Sequence, residues 1–255
     1  MTNNKIERIR LENVTKKFTR RIKKDNKSVL SRVINFFYPK ENKLEFEVLK
    51  SISLSVCSGE ILGVIGKNGS GKSTLLKVAA GIYKSDNGVI KTNGSLIYVT
   101  GFGQGIKVKL TMKENIYLLG AVMGLSKKDV DAKIDQIVEL SGFKDYLNTP
   151  IFQFSSGMIS RLGFSISIHC LEHHNPDILL FDEVFSAGGD IDFEDKGVKK
   201  MEDLIKKGAA VILVSHSLDM IKKYCNRVIL LDKGKIIEEG DPQKVIDKYV
   251  SLLNK

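Results

Sequence analysis

The sequence has few cysteines, no apolar stretch long enough to cross a bilayer, and no low-complexity segment. Its three cysteines, Cys57, Cys170 and Cys225, are odd in number and form no C-x-x-C pair. This argues against a disulfide framework and for a reducing compartment. The N-terminus lacks the apolar core of a secretion signal, and no run approaches the ~20 apolar residues of a membrane-spanning helix. We therefore expect a cytosolic chain that does not enter a membrane by itself.

Positive charge is in excess, with a formal net charge of +10. Such a charge suits a nucleic-acid partner, an anionic lipid surface, or only a solvated lysine-rich surface. Residues 20–43 differ from the rest because basic residues flank apolar ones that recur at near-helical spacing. This pattern predicts a short basic amphipathic helix that lies at a membrane interface or against a membrane protein, or else packs on its own domain. The basic residues are Arg20, Arg21, Lys23, Lys24, Lys27, Arg32, Lys40 and Lys43.

The pattern G-x-x-x-x-G-K-[ST] is complete at residues 66–73, which we call the phosphate loop. An apolar run before it predicts a buried strand, and Thr74–Ala80 after it predicts a helix. In this setting glycines let successive N–H groups point inward at the positive end of the helix dipole, which forms a cradle for phosphate. Lys72 then reaches the β- and γ-phosphates, and the Ser73 hydroxyl ligates Mg²⁺. The sequence therefore predicts a nucleoside triphosphate site built from Gly66, Lys67, Asn68, Gly69, Ser70, Gly71, Lys72, Ser73 and Thr74.

Short apolar runs alternate along the chain with helical patterns. The runs lie at 61–65, 178–182, 210–214 and 228–232, and the helical patterns at 73–80, 113–123, 127–141, 157–171, 195–207 and 218–224. This alternation predicts an open, mostly parallel α/β sheet with the nucleotide at the carboxyl ends of its strands. Residues 6–19 and 45–57 alternate apolar and polar positions, which predicts half-buried antiparallel strands. Residues 104–170 carry helical patterns without a convincing strand, which predicts a helical insertion.

Polar residues that suit catalysis follow two of the apolar runs. Asp182 ends the run at 178–182, where its carboxylate is suited to hold Mg²⁺, and Glu183 follows as a candidate general base. Alternatively, the two acids only end a strand and face solvent. His216 follows the run at 210–214 and is a candidate contact to the γ-phosphate or to water, although a lone histidine at a strand end is more often structural. We expect Lys72, Glu183 and His216 to be the catalytic residues.

A family resemblance rests on Phe154-Ser155-Ser156-Gly157-Met158, which we call the signature segment. It stands where the ATP-binding subunits of ABC transporters carry Leu-Ser-Gly-Gly-Gln, and the chain resembles those subunits over nearly its whole length. Its Ser-Ser-Gly-Met variant and the basic insertion after Phe18 are similar to the branch that exports lipid-linked polysaccharides, such as O-antigen, capsule and, most closely, teichoic acid.

The resemblance implies a mechanism and partners that composition and spacing do not give. It implies a head-to-tail homodimer that binds ATP and Mg²⁺, in which Ser155, Ser156 and Gly157 contact nucleotide on the other subunit. Phe18 matches the aromatic residue that stacks on adenine. The resemblance also implies a separate transmembrane permease, a place at the cytoplasmic face of the bacterial inner membrane, and no direct contact with nucleic acid.

Three stretches depart from the family pattern. The glutamine that senses Mg²⁺ is expected directly after Leu96–Val99, but the nearest one here is Gln104, which we take as the candidate for that role. The loop Val184–Asp190 is one residue longer than the family pattern, which puts the usual coupling between the two subunits of the dimer in question. An apparent insertion brings His169, Cys170 and His173 together, which suits either a metal site or only a histidine-rich helix end.

The whole chain is thus expected to be one α/β P-loop NTPase unit of the ABC ATPase type. An antiparallel β-subdomain is expected at 6–60, with a basic helical insertion at about 20–43. The catalytic core is expected at 61–103 and 172–255, and a helical signature subdomain at 104–171. The predicted function is ATP hydrolysis that drives polysaccharide or glycolipid export. The alternatives are the motor of another ABC transporter class, or an ABC ATPase acting on nucleic acid or ribosomes, which the +10 charge suits.

Overall fold

The structure, a computed structural model, describes residues 6–22, 42–102, 104–183, 202–203 and 205–253. Its strands are β1 (Glu7–Ile22), β2 (Asn42–Cys57), β3 (Ile61–Ile65), β4 (Asn87–Thr92), β5 (Leu96–Thr100), β6 (Ile178–Asp182), β7 (Ala210–Val214), β8 (Arg227–Asp232) and β9 (Lys235–Gly240). Its α-helices are α1 (Lys72–Ala79), α2 (Met112–Val122), α3 (Lys127–Ser141), α4 (Ser156–His174), α5 (Leu218–Tyr224) and α6 (Pro242–Leu253). Short 3₁₀ turns lie at Lys144–Tyr146 and Ile151–Gln153.

The central sheet has six strands in the order β5-β6-β7-β3-β8-β9. The five strands from β5 to β8 pair in parallel, and β9 pairs antiparallel with β8 at the edge. Every residue of β3 and of β7 is buried, as expected for parallel strands covered on both faces. The prediction of an open, mostly parallel α/β sheet is therefore confirmed.

The two faces of this sheet bury different hydrophobic clusters because strand side chains alternate. In β6, Leu179 and Phe181 pack on the face covered by α4, α5 and α6, whereas Ile178 and Leu180 pack on the face covered by α1, β1 and β2. All four side chains are fully buried, and each contributes about 1.5–3 kcal/mol by leaving water. This double burial fixes β6, so the acidic residues at its end have a rigid support.

An antiparallel sheet with the order β2-β1-β4 covers one side of the core. Strands β1 and β2 are longer than the predicted 6–19 and 45–57, and they pair up to Arg21↔Lys43 and Ile22↔Asn42. The predicted basic helical insertion at about 20–43 is thus corrected at both ends, because residues 20–22 and 42–43 are strand. Residues 23–41, which include the predicted amphipathic helix itself, lie outside the described residues. The sheet also takes in β4, which lies beyond the predicted limit of residue 60.

The stretch 104–170 holds helices α2, α3 and most of α4, without a strand. Their apolar sides meet in a third hydrophobic cluster around Met112, Ile116 and Leu162. The bounds of α3 agree with the predicted 127–141, and α4 begins one residue earlier and ends three residues later than the predicted 157–171. Residues 202–203 and 205–206 are helical within the predicted 195–207, and residue 207 is a turn. Residues 195–201 and 204 lie outside the described residues.

Asn115 is a buried side chain that ties the start of α2 to the loop before it. Its Oδ1 accepts from the Lys107 N–H at 2.7 Å, and its Nδ2 lies 2.9–3.3 Å from the carbonyls of Lys107, Leu110 and Thr111. Because Asn115→Ala takes the acceptor of the part-buried Lys107 N–H away and removes a fully buried amide that bonds three carbonyls, we expect the free energy of unfolding to fall by about 2–3 kcal/mol. Urea unfolding measures this, with the exposed Asn148→Ala as a control expected to change stability by less than ~0.5 kcal/mol. Equal stability of the two variants would contradict the role given to Asn115.

Candidate functional site

The phosphate loop connects β3 to α1 and lies against the backbone of two other strands. A Cβ on Gly66, which has φ 153°, would lie 2.1 Å from the Leu231 carbonyl oxygen. A Cβ on Gly71, with φ 111°, would lie 2.9 Å from the Val48 carbonyl oxygen. Only glycine fits at both positions, because a side chain would collide with backbone that cannot move aside. The Ser70 carbonyl also accepts from the Gly234 N–H at 3.0 Å, so the loop is held in one shape.

The N-terminus of α1 is left open by its capping residue. Helices α2 to α5 each begin after a serine or threonine whose hydroxyl accepts a backbone N–H: Thr111, Ser126, Ser155 and Ser217. Helix α1 instead begins after Gly71, which makes no side-chain cap. Its first N–H groups therefore keep their capacity to bind an anion, and the helix dipole favours negative charge at the same place.

Lys72 is buried at the start of α1, with 6% of its surface exposed. Its ammonium group donates to the carbonyl oxygens of Gly66 at 2.8 Å and of Lys67 at 3.2 Å. Burial lowers the pKa of Lys72, against an opposing effect of the nearby Glu183 and Asp182 carboxylates. The cation is thus held inside the curve of the phosphate loop, where it faces any group bound there.

Ser73 and Asp182, both predicted as metal ligands, are in direct contact. The Ser73 hydroxyl donates to Asp182 Oδ1 at 3.0 Å. The Tyr98 hydroxyl donates to the other oxygen, Oδ2, at 2.9 Å. Burial, and next the bond to Asp182, raises the pKa of Tyr98, so this phenol keeps its proton at neutral pH. A hydroxyl and a carboxylate oxygen beside a phosphate cradle are the hard ligands that Mg²⁺ prefers.

Glu183 and His216 meet at the carboxyl ends of β6 and β7. His216 Nε2 lies 2.8 Å from Glu183 Oε1, and both side chains are nearly half exposed. Glu183 has a left-handed backbone with φ 55°, and its N–H donates to the Val214 carbonyl at 3.0 Å. The strained backbone turns the Glu183 side chain toward His216, away from the direction that a regular strand continuation would give.

Gln104 lies at the same edge of the sheet, beyond the end of β5. The Thr100 hydroxyl donates to Gln104 Oε1 at 3.1 Å, and Thr100 is the register partner of Asp182. Gln104 is exposed. The structure thus brings the predicted glutamine close to the strand pair that carries Asp182.

Phe18 belongs to an aromatic group rather than standing alone. Its ring centroid lies 6.2 Å from that of Phe46 on β2 and 5.5 Å from that of Tyr83, the latter in an edge-on arrangement. The Lys16 ammonium lies 5.3 Å from the centroid of Phe18. Such a half-exposed ring beside a cation is suited to a flat, polar aromatic ligand.

The signature segment lies at the N-terminus of α4. Ser155 is the N-cap and accepts the Met158 N–H at 3.2 Å. Ser155, Ser156 and Gly157 are all exposed, whereas Phe154 is buried and anchors the segment. A Cβ on Gly157 would meet only Ser155 Oγ, at 3.9 Å, so the surface above the helix N-terminus is open.

The match to known proteins covers these same elements. The model of a family described as ABC transporter matches residues 49–186, which include the phosphate loop, the signature segment, Asp182 and Glu183. The chain belongs to the ABC transporter family.

Individual relatives in this family are about one-third identical to the chain. The O-antigen export system ATP-binding protein RfbB of Klebsiella pneumoniae is 35% identical over 80% of this chain and 81% of its own length. The ABC transporter protein AbcA of Aeromonas salmonicida is 34% identical over 85% of this chain and 68% of its own length. The teichoic acids export ATP-binding protein TagH of Lactococcus lactis is 37% identical over 98% of this chain and 52% of its own length. The chain therefore spans about half the length of TagH.

Solved structures of ABC ATP-binding proteins share the fold at lower identity. The structure of an ATP binding subunit of an ABC transporter has a TM-score of 0.71 at 20% identity and covers 97% of this chain and 100% of its own. A dimeric post-hydrolysis state of the cassette MJ0796, bound to ADP and Pi, has a TM-score of 0.68 at 21% identity and covers 92% of this chain and 98% of its own. The predicted α/β P-loop NTPase fold of the ABC ATPase type is confirmed.

Two histidines at the histidine-rich end of α4 in this ABC family member contact backbone carbonyls. His169 is buried with Nδ1 2.7 Å from the Ser165 carbonyl oxygen, and His174 Nε2 lies 2.7 Å from the Met123 carbonyl oxygen. Burial raises the pKa of the Cys170 thiol to about 11. Among the described ranges, no three His, Cys, Asp or Glu side chains are grouped in a way that could hold a metal ion. Of the two interpretations given for this segment, a metal site or only a histidine-rich helix end, these contacts support the second.

Sequence reasoning missed Tyr98, Thr100, Phe46 and Tyr83 as neighbours of the site. The pairing of β5 with β6 brings Tyr98 and Thr100 beside the end of β6, and the β1–β2 register brings Phe46 beside Phe18. Tyr83 lies between α1 and β4 and meets Phe18 in an edge-on arrangement. An available signal was the apolar run Leu96–Val99, which a strand prediction would have placed beside β6. In the part of the chain that the structure describes, no helix has both the length and the apolar character needed to cross a membrane.

Proposed function

We propose that the chain is the ATP-hydrolysing subunit of an ABC transporter that exports a lipid-linked polysaccharide or glycolipid, such as O-antigen, capsule or teichoic acid. The observation that carries the ATPase assignment is the junction of the phosphate loop with the end of β6. There the Ser73–Asp182 contact lies between a buried lysine and a carboxylate–histidine pair. This set supplies the parts that phosphoryl transfer to water requires: an anion cradle, metal ligands and a base.

The residues present fit a triphosphate with a divalent cation. The uncapped N-terminus of α1 and the Lys72 ammonium supply donors and positive charge for phosphate oxygens. Ser73 and Asp182 would hold Mg²⁺, with Gln104 as a further ligand from the neighbouring strand end. When bound, the cation adds positive charge at the β- and γ-phosphate oxygens. Phe18 would stack on the base of the nucleotide.

Glu183 and His216, which lie together at the edge of the central sheet, give the chain a way to activate water. In the proposed step the Glu183 carboxylate accepts a proton from water, the water oxygen bonds to the γ-phosphorus, and the bond from that phosphorus to the β–γ bridging oxygen breaks. His216, whose Nε2 lies 2.8 Å from Glu183 Oε1, orients that carboxylate beside the γ-phosphate site. Lys72 stabilises the charge that develops on the leaving ADP.

We further propose that two copies act as a head-to-tail dimer. The exposed N-terminus of α4, with Ser155, Ser156 and Gly157, has the donors and the dipole to contact a γ-phosphate held by a second subunit. The solved post-hydrolysis structure of the cassette MJ0796 is dimeric, which supports the pairing of two copies. Bound ATP then favours the closed dimer, and loss of the γ-phosphate removes that bias.

The cargo and the membrane partner are inferred from the relatives. Relatives at 35% and 37% identity are named as exporters of O-antigen and of teichoic acids, and both cargoes are lipid-linked polysaccharides. We propose that a separate transmembrane permease carries the cargo and that this chain binds it at the cytoplasmic face of the bacterial inner membrane, aided by the basic segment near 20–43. The division expected from the sequence, with limits at 6–60, 61–103 with 172–255, and 104–171, remains part of this proposal, except that β4 (Asn87–Thr92) belongs to the antiparallel sheet.

An affinity purification from detergent-solubilised membranes of the source organism tests the proposal. We expect one polytopic membrane protein in near-equal amount, because a subunit of this kind works only through a permease. Mass spectrometry identifies the co-purifying proteins and lipids, and the Lys72→Ala variant serves as a control for association that needs no ATP. Ribosomal proteins or nucleic acid in place of a permease would contradict the exporter, and a permease without glycolipid cargo would favour another ABC transporter class.

A further inference from the structure

Asp182 is held at both carboxylate oxygens by hydroxyl groups from different elements. Ser73 of α1 donates to Oδ1 at 3.0 Å, and Tyr98 of β5 donates to Oδ2 at 2.9 Å. A carboxylate fixed at one oxygen still rotates about the bond to its Cβ. A carboxylate fixed at both oxygens keeps one orientation, and here Oδ1 stays directed at Ser73.

The position of Tyr98 follows from the pairing of β5 with β6. In the parallel register Tyr98 lies beside Leu180, and Thr100 lies beside Asp182. Tyr98 is therefore two residues short of the sheet edge, a distance of about 6.6 Å along the strand, which the length of a tyrosine side chain bridges. Its ring packs against the buried cluster that contains Leu180 and Val64, so the phenol has a rigid support and only its hydroxyl reaches the site.

We propose that Tyr98 is a positioning residue for the metal–nucleotide site, which holds Asp182 Oδ2 so that Oδ1 and the Ser73 hydroxyl oxygen face a divalent cation together. The inference rests on the proposed ATPase function. It assigns a role to a residue outside the phosphate loop, the signature segment and the acidic pair. Groups that orient a metal ligand in this way change metal affinity by about 10- to 100-fold when they are removed.

The variant Tyr98→Phe removes only the hydroxyl and keeps the ring in the cluster. The probe is a fluorescent, non-hydrolysable ATP analogue, whose dissociation constant for the 255-residue chain is measured once in EDTA and once with saturating Mg²⁺. In the variant we expect the affinity in EDTA to stay within about twofold of the unsubstituted chain, and the gain in affinity from Mg²⁺ to shrink by about 10-fold. Tyr249→Phe, which alters another partly buried tyrosine packed on the core, should leave both values unchanged.

A double-mutant cycle with Asp182→Asn separates positioning from general packing. If Tyr98 acts through Asp182, then adding Tyr98→Phe to Asp182→Asn should weaken Mg²⁺-dependent binding no further. Equal binding by Tyr98→Phe and the unsubstituted chain in both conditions would overturn the inference, and so would an equal loss in EDTA and in Mg²⁺. An unsubstituted chain that binds the analogue in neither condition would overturn the proposed function and this inference with it.

Discussion

Replacing Glu183 with glutamine is expected to lower the rate of ATP hydrolysis by about 10²–10⁴-fold while ATP binding is retained, because a general base contributes that much. The change keeps the shape of the side chain and removes its capacity to take a proton from water. The His216 ring can still donate from Nε2 to the amide oxygen, since these atoms lie 2.8 Å apart in the carboxylate form. The site therefore stays assembled, and only the proton transfer is lost.

The loss of hydrolysis should also change the oligomeric state. If bound ATP holds two subunits together, a variant that binds ATP without cleaving it should accumulate as a dimer. Single-turnover phosphate release measures the chemistry, and analytical ultracentrifugation with Mg²⁺-ATP measures the dimer.

Glu139→Gln is the matched control for this variant. Glu139 lies on the exposed side of α3, so its charge is removed without touching the site, and we expect unchanged turnover. Near-normal turnover in Glu183→Gln would remove Glu183 as the base. A loss of ATP binding together with turnover would instead show that the carboxylate holds the site together.

Most of the parallel core could be predicted because four of its five strands are short apolar runs on a chain that alternates with helices. The fifth parallel strand, β5, was not among the predicted runs. The strand 178–182 was predicted with the bounds that it has, and all of its apolar residues are buried. Strands β4 and β9 could not be predicted in this way, because most of their residues are exposed and carry no apolar run. Helix α6 was missed although Val245 and Ile246 are buried and it is longer than α1 and α5, both of which were predicted.

The parts of the site that are local in sequence could be predicted, and those made by tertiary pairing could not. The phosphate loop is one continuous motif, so its strand, glycines and lysine are visible together. The contact of Ser73 with Asp182 spans 109 residues, and it was expected only because both residues follow buried strands of a parallel sheet. Tyr98 has no such signal, because its hydroxyl reaches Asp182 only through the register of two adjacent strands.

The ends of the paired strands β1 and β2 could not be predicted from the sequence pattern. Alternation of apolar and polar residues predicted strands that stop at residues 19 and 45, but the pairing continues to Ile22 and Asn42. Beyond Thr19 the basic residues follow one another, so the alternation of apolar and polar residues ends there. The backbone pairing of β1 with β2 continues for three more residues. Cross-strand hydrogen bonds do not depend on side-chain pattern, and they extend the hairpin past the point where burial of a face supports it.

Lys72→Ala is expected to weaken ATP binding by about 100-fold or more, because charge-assisted bonds to phosphate are among the strongest that a site offers. The Lys72 ammonium is nearly buried and is held by the carbonyls of Gly66 and Lys67. Burial lowers its pKa, which means that the charged form lacks solvation and gains from a bound anion. An exposed lysine gains less free energy from a bound anion, since water already stabilises its charge.

Equilibrium binding of ATP, measured by calorimetry in Mg²⁺ buffer, checks this expectation. Lys127→Ala removes the same charge from a side chain that is 81% exposed on α3, and it should change the affinity less than twofold. Circular dichroism should show that both variants are folded, because alanine favours helix at either position. An ATP affinity that is unchanged in Lys72→Ala would contradict the assignment of residues 66–73 as the phosphate cradle, since the lysine at its centre would then have no part in holding the anion.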